Sequence, residues 1–301
     1  MTYQEVENVR KAYLKRLAIQ CLVVVAIIIS IVSILVQNDA IYEGWVITFS
    51  FPFFIIILFS IFNNKVRRSY RKAYKGYFVE QNLRKIFTNL EYSHEQGIPS
   101  LVLYSTGVIN TGDRYSSNDF TKGKYKGVDF AQSDVHIEVK NTDSDGNTTY
   151  TTIFKGRFMV FEFPKKFNYK LALVGKRFPA FKKPSANKTT GRKMETISTE
   201  STEFNRILRT YAEDGFEAFY ILDPALIAKI EDITTHYKRK IIFCFINNSL
   251  IIGINDGKDS FEPPRPFRHI NEAKENAKVS SDIKIITDFV DQLSLSDKLF
   301  K

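Results

Sequence analysis

The chain has 301 residues, 44% hydrophobic and 25% charged, with 43 Lys and Arg against 33 Asp and Glu for a net charge of +10. That balance excludes disorder and collagen-like repeats. Two cysteines, Cys21 and Cys244, exclude a disulfide framework and a four-cysteine zinc site. The mean hydropathy of −0.19 alone would describe a soluble protein, but the apolar residues crowd at one end.

Leu17 to Asn38 runs without a charge, and so does Gly44 to Asn64. At about 1.5 Å per residue, each stretch can cross a hydrocarbon core of about 30 Å. The sequence therefore predicts a transmembrane hairpin over 1–64, with spans at about 17–36 and 44–63 and Pro52 kinking the second. A short turn joins the spans, so they run antiparallel. Basic residues set the orientation. Arg10, Lys11, Lys15 and Arg16 precede the first span, the turn carries none, and Lys65, Arg67, Arg68, Arg71, Lys72 and Lys75 follow the second. Both termini are expected in the cytoplasm. The first apolar stretch is too long for a cleaved signal peptide, and no small-residue cleavage site follows it.

Residues 65–97 read as an amphipathic juxtamembrane helix reaching to about Asn89. Val66, Tyr70, Ala73, Tyr74, Tyr77 and Phe78 recur at helical spacing, and the basic residues flank them. The expected role of Lys65, Arg67, Arg68, Arg71, Lys72 and Lys75 is contact with anionic lipid headgroups. Nucleic acid is not expected as a partner, because no binding motif accompanies the charge. A second basic stretch, 176–193, reads as a solvated loop.

From Ile98 onward the pattern turns β-rich, and 98–301 is expected to be a cytoplasmic α+β domain with antiparallel hairpins. Val135, Ile137 and Val139 alternate with Asp134, His136, Glu138 and Lys140, as in a half-buried strand. Asn141 to Asn147 forms a polar Asp-Gly hairpin turn, followed by a strand over Ile153 to Phe163 that is apolar on both faces. Leu171 to Val174 reads as a further short strand. Ile241 to Ile246 and Leu250 to Ile254 read as a hairpin around Asn247 and Asn248. Asp223-Pro224 is a helix start, and Ile283, Ile286, Phe289, Val290 and Leu293 mark a C-terminal helix.

The order of these segments, with Phe154-Lys155-Gly156, Glu200, Glu203-Phe204, Tyr211, Asp214 and Ala218 through Pro224, resembles the bacterial family catalogued as domain of unknown function 3137. The motif residues are Phe154, Gly156, Glu200, Phe204, Asp214, Tyr220 and Pro224. The resemblance implies a protein of the bacterial inner (cytoplasmic) membrane with a cytoplasmic domain of unassigned role, and it supplies no catalytic residue.

The chemistry-bearing motifs fall short of a site. Gly107 to Gly112 has Walker A glycine spacing, but Asp113 and Arg114 stand where Lys and Ser or Thr are needed. Asn141, Asp143, Asp145 and Gly146 match the start of an EF-hand loop, but Thr152 cannot supply its bidentate carboxylate. His94, His136, His236 and His269 show no metal-ligand spacing, and Cys244 lies in an apolar run. No catalytic residue, metal or cofactor is therefore expected. The expected function is a membrane-anchored, non-enzymatic binding or scaffold domain with a protein partner or a second copy of itself. The alternative is a membrane-bound hydrolase using Glu200 and Asp214.

Overall fold

The computed structural model describes residues 1–37, 59, 63–184, 191–293 and 295. The chain divides into two compact units, Met1–Gln81 with Glu262–Lys278, and Asn82–Phe261 with Val279–Lys301. Of the second expected span only Phe59 and Asn63 lie among the described residues, and Pro52 and the interspan turn lie outside them.

In the first unit, α1 (Tyr3–Gln37) is one continuous helix. It is the one candidate membrane span among the described residues, with mean hydropathy 2.9 and none of its apolar window buried. A second helix, α2, covers 63–74 and passes through a π-turn at Lys75–Val79 into α3 (Glu80–Ile86). Tyr70, Ala73, Tyr74 and Phe78 are buried, so the apolar periodicity marks a packed face. The segment 262–278 completes this unit and accepts the tyrosine hydroxyls. Tyr70 donates to the Pro264 carbonyl at 3.1 Å, Tyr74 to Glu275 at 2.7 Å and Tyr3 to the Ile270 carbonyl at 2.8 Å. Arg10 is buried against Glu7 at 2.8 Å and donates to the Pro266 carbonyl at 2.9 Å.

The expected helix to Asn89 is corrected: it ends at Ile86, and Thr88–Ser93 forms β1. The edge of the neighbouring strand offers backbone bonds from Lys124 to Phe120, which outweigh continuation of the helix. The expected boundary at 97 shifts accordingly, since 82–97 belongs with the sheet.

The second unit is built on a seven-stranded antiparallel sheet in the order β1-β2-β3-β4-β6-β5, with β7 also paired to β4. Its further strands are β2 (Arg114–Tyr125), β3 (Val128–Thr142), β4 (Thr148–Gly175), β5 (Glu195–Ile197), β6 (Leu208–Ala212) and β7 (Ile241–Ile254). The helices are α4 (Ser100–Ser105), α5 (Thr202–Ile207), α6 (Gly215–Ile221), α7 (Pro224–His236) and α8 (Glu272–Gln292), whose residues from Val279 onward belong to this unit. This is the expected α+β architecture.

The β3–β4 turn is the polar hairpin, with Asp143 accepting from the backbone N–H groups of Asp145 and Asn147 at 3.1 and 2.8 Å. Its acidic residues are turn-formers. Two expectations fail at β4. Leu171–Val174 is not a separate strand but the end of β4. Ile241–Ile254 is not a hairpin but one strand, paired along β4 from Ile254 opposite Arg157 to Ile242 opposite Val174. The Asn247-Asn248 pair sits at an irregularity: Asn247 adopts φ +54° and stands opposite Phe167, between shifts of register. It absorbs a bulge instead of reversing the chain.

β4 is the central strand, and Phe154, Phe158, Met159 and Phe161 are wholly buried on its two faces. Its backbone also packs tightly. A Cβ added at Gly156 would stand 2.0 Å from the Ile254 carbonyl oxygen of β7. Gly156→Ala must therefore push two paired strands apart. The expected cost is about 1–3 kcal/mol, measurable as a lower melting temperature of the full chain, and an unchanged melting temperature would contradict this packing.

Candidate functional site

The residues of the family-like motif separate by their surroundings. Phe154 and Phe204 are buried in the core, and Gly156 permits the approach of β7. Asp214 is the N-cap of α6 and accepts from the Glu217 N–H at 2.9 Å. Pro224 is the first residue of α7, capped by Asp223, which accepts from the Leu226 N–H at 2.7 Å. These five have structural duties. Glu200 is exposed, and Tyr220 is 66% exposed. The Asp214 carboxylate is thus committed to a helix end.

Tyr220 leads to a surface that the sequence reading missed. α6 carries two interleaved apolar sets at helical spacing. Ala218, Ile221 and the following Leu222 are buried, whereas Phe216 is 86% exposed and Phe219 50% exposed. Residues three and four apart share a helix face, so Phe216, Phe219 and Tyr220 form one outward aromatic face. The Lys165 ammonium stands 5.0 Å from the centre of the Tyr220 ring. Glu217 accepts from Asn168 at 3.0 Å, so the rim carries both signs of charge. The sequence signal is a short helix with more apolar positions than one face can bury.

A second feature is a buried polar cluster on the opposite face of β3 and β4 from Phe154 and Phe158. Asp134 of β3 stands directly across from Arg157 of β4, and both are nearly inaccessible. The alternating pattern places Asp134 on a wetted face. That face is covered, because the Arg157 guanidinium donates to the Asp282 carbonyl of α8 and to the Ser260 hydroxyl. The Ser260 N–H in turn donates to Asp134 Oδ2 at 2.6 Å. Asp119 is wholly buried at a bulge in β2 and accepts from the Tyr92 hydroxyl at 2.7 Å. Burial pushes the Asp134 carboxyl up to about 7. Arg157 opposes that shift, and the nearby Asp119 and Asp259 carboxylates add to it. Asp134 Oδ1 has no hydrogen-bond partner among the described residues.

Other expected sites resolve individually. Cys244 is fully buried, and desolvation pushes its thiol up to about 12, so it is an inert core residue. His136 contacts the Thr152 hydroxyl at 2.9 Å, and His236 stands edge-on to Tyr237. The expected lipid-contact residues divide. Lys75 is buried against Glu262 at 3.0 Å, and Arg71 pairs with Glu262 at 2.5 Å. Lys75 is therefore withdrawn from that set, because its charge is spent inside its own unit. Lys65, Arg67, Arg68 and Lys72 are exposed. Within the basic stretch 176–193, Phe178 and Ala180 are buried and Phe181 bridges to Ile109. Its first half is thus packed, and 185–190 lie outside the described residues.

Residues 152–295 match the family model described as "Protein of unknown function (DUF3137)". They are a DUF3137 domain. The matched segment starts within β4 and takes in β5 to β7, α5 to α7 and α8, hence the aromatic face of α6 as well as Arg157. No curated protein matches the chain. Among solved structures, the crystal structure of the mycobacterial trehalose monomycolate transport factor A, TtfA, is similar over 75% of this chain and 93% of its own, at 11% identity and a TM-score of 0.36. At that score the likeness carries no argument.

The raised carboxyl of Asp134 gives a pH-dependent prediction. Its neutral form is favoured in the folded chain. The stability it contributes is complete below the ordinary carboxylate range and is lost as pH rises through about 7. Between about pH 5 and 8.5 that loss is roughly 2–3 kcal/mol. Asp134→Asn keeps the shape and the Ser260 bond without the ionisation. Melting curves of the full chain should coincide for parent and variant near pH 5, with the variant more stable above pH 7. Parallel pH profiles would contradict the assignment.

Proposed function

We propose that this chain is a membrane-anchored binding protein. In this reading the N-terminal helices form a two-span anchor in the bacterial inner membrane with both termini in the cytoplasm. The sheet unit recruits a protein partner there through the aromatic face of α6. The apolar surface of α1 supports the anchor: Leu22 is 69% exposed and Ile29 63%, a surface that water would oppose and lipid accepts.

The observation that carries the binding role is the cluster of Phe216, Phe219 and Tyr220 in the open. Burying one such side chain is worth about 1.5–3 kcal/mol. A folded unit that leaves three on one face forgoes that stabilisation, and grouped exposed apolar residues mark interaction sites. The rim favours a protein over the bilayer surface. Lys165 stands over the Tyr220 ring, and Glu217 on α6 carries the opposite charge. A net positive rim would suit anionic lipid, whereas mixed charge suits a protein surface with its own polar border. Exposed Lys65, Arg67, Arg68 and Lys72 supply the lipid contact nearer the membrane. Among the described residues the geometry does not favour the hydrolase reading, since Asp214 caps a helix and Glu200 is exposed.

Site-specific photo-crosslinking in intact membranes tests this role. A photoreactive residue at Phe216 should give a discrete protein adduct. The adduct should disappear when Phe219→Ser and Tyr220→Ser are introduced, with the melting temperature of the chain kept. Crosslinks to lipid alone, or none, would overturn the proposal.

A further inference from the structure

A groove of about 460 Å³ lies between α1 and α2 in the first unit, lined among others by Leu17, Cys21, Val24 and Val25 on one helix and Asn63 and Arg67 on the other. That volume is in the range of small-ligand sites, about 300–1,000 Å³. We propose that it holds one phospholipid of the cytoplasmic leaflet, with an acyl chain along Leu17 to Val25 and the phosphate at Arg67. The inference rests on the anchoring role proposed above and adds a ligand to it.

Three observations carry it. The first is the order of polarity along the groove. α1 passes from Tyr13 through Leu17 to Val24 and Val25, a rise of about 18 Å over twelve residues, so one end is polar and the other wholly apolar. A phospholipid has the same order. A neighbouring groove of about 500 Å³ repeats it, with Lys15 and Arg16 at one end and Ile19 and Val23 further along.

The second is charge complementarity. Arg67 is exposed at the polar end, and a guanidinium binds phosphate through paired N–H donors. A diacylglycerol would fill the apolar part and leave this group unused.

The third is a polar pair set among apolar side chains. Asn63 donates to Gln20 Oε1 at 2.8 Å and joins the two helices. Its own Oδ1 is buried and has no hydrogen-bond partner among the described residues. Polar groups at membrane depth are costly unless satisfied, and they mark functional positions by default. Asn63 also lines the groove, so a hydroxyl or ammonium donor of a lipid headgroup could satisfy this acceptor.

Cys21 lines the groove and is exposed, whereas Cys244 is fully buried with its thiol pushed up to about 12. Maleimide therefore reports on Cys21 in the native, full-length protein. In detergent, phosphatidylglycerol present at about ten times its Kd should slow Cys21 labelling about tenfold. Diacylglycerol with the same chains should do little, and Arg67→Gln should remove the difference. A Cys21→Ser chain carrying Ile29→Cys, away from the groove, should be slowed by neither lipid. Equal slowing by both lipids, equal slowing at both positions, or no slowing would overturn the inference. The anchor is checked separately. If a membrane-impermeant maleimide labels Ile29→Cys in intact membranes, the anchoring role itself fails. If Ile29→Cys is shielded there but phosphatidylglycerol gives Cys21 no selective protection, only the lipid site fails.

Discussion

The sheet unit depends on β4 being bonded along both edges. β3 pairs with its first half and β6 with its end, while β7 follows its other edge from Arg157 to Val174. The strand runs 28 residues, and where it is mostly buried, around Arg157–Phe161 and Leu171–Val174, it has paired neighbours on both edges, so its backbone N–H and C=O groups find partners there. The arrangement accounts for the chain's unusual wealth of phenylalanine. Phe154 and Phe158 fill one face and Phe161 the other, where a wetted sheet would carry polar residues. It also explains why Gly156 has no room for a side chain.

Covering both faces has an electrostatic consequence. Asp134 and Arg157 are cross-strand neighbours, and once α8 and the loop through Ser260 close over them, neither keeps contact with water. Their attraction and the bonds to Ser260 and Asp282 offset part of the desolvation cost. The carboxyl remains above its ordinary range because burial takes it out of water, and Asp119 and Asp259 add negative charge to the same region. The cluster therefore reads as a joint that fixes α8 and the 256–261 loop to the sheet. The exposed aromatic surface is elsewhere, on α6.

Much of this was legible in the sequence. Alternating and helical periodicities located β3, the first half of β4, α7 and the face of α8, because those patterns follow from burial on one side. Asp223-Pro224 and Asp143 acted as local signals, satisfying nearby backbone groups without help from distant residues. What escaped depends on contacts far apart in the chain. The single strand β7 looked like a hairpin because Asn247-Asn248 is turn chemistry. Only the continuous edge of β4 makes it a bulge. Asp134 looked exposed because nothing near it announces that α8 covers it. Lys75 looked like a lipid contact because its partner, Glu262, lies far along the sequence. The aromatic face of α6 was within reach, since two interleaved apolar sets in seven residues exceed what one buried face requires. The motif residues Phe154, Gly156, Phe204, Asp214 and Pro224 proved to be parts of the fold, which left Tyr220 and Glu200 as the ones facing outward.

The functional account joins these parts through the membrane. α1 presents apolar side chains that are exposed among the described residues, and in the proposed reading the basic residues beside 17–36 and after 63 set the orientation of the anchor. In the proposed reading, tethering to the bilayer would raise the effective concentration at which α6 meets a membrane-borne partner. The most direct test fuses a reporter, active only outside the cytoplasm, at Ala40 and separately at Lys301 of the full chain. The account predicts signal at Ala40 and none at Lys301. Signal at Lys301 would place the sheet unit across the membrane from its proposed partner and contradict the account.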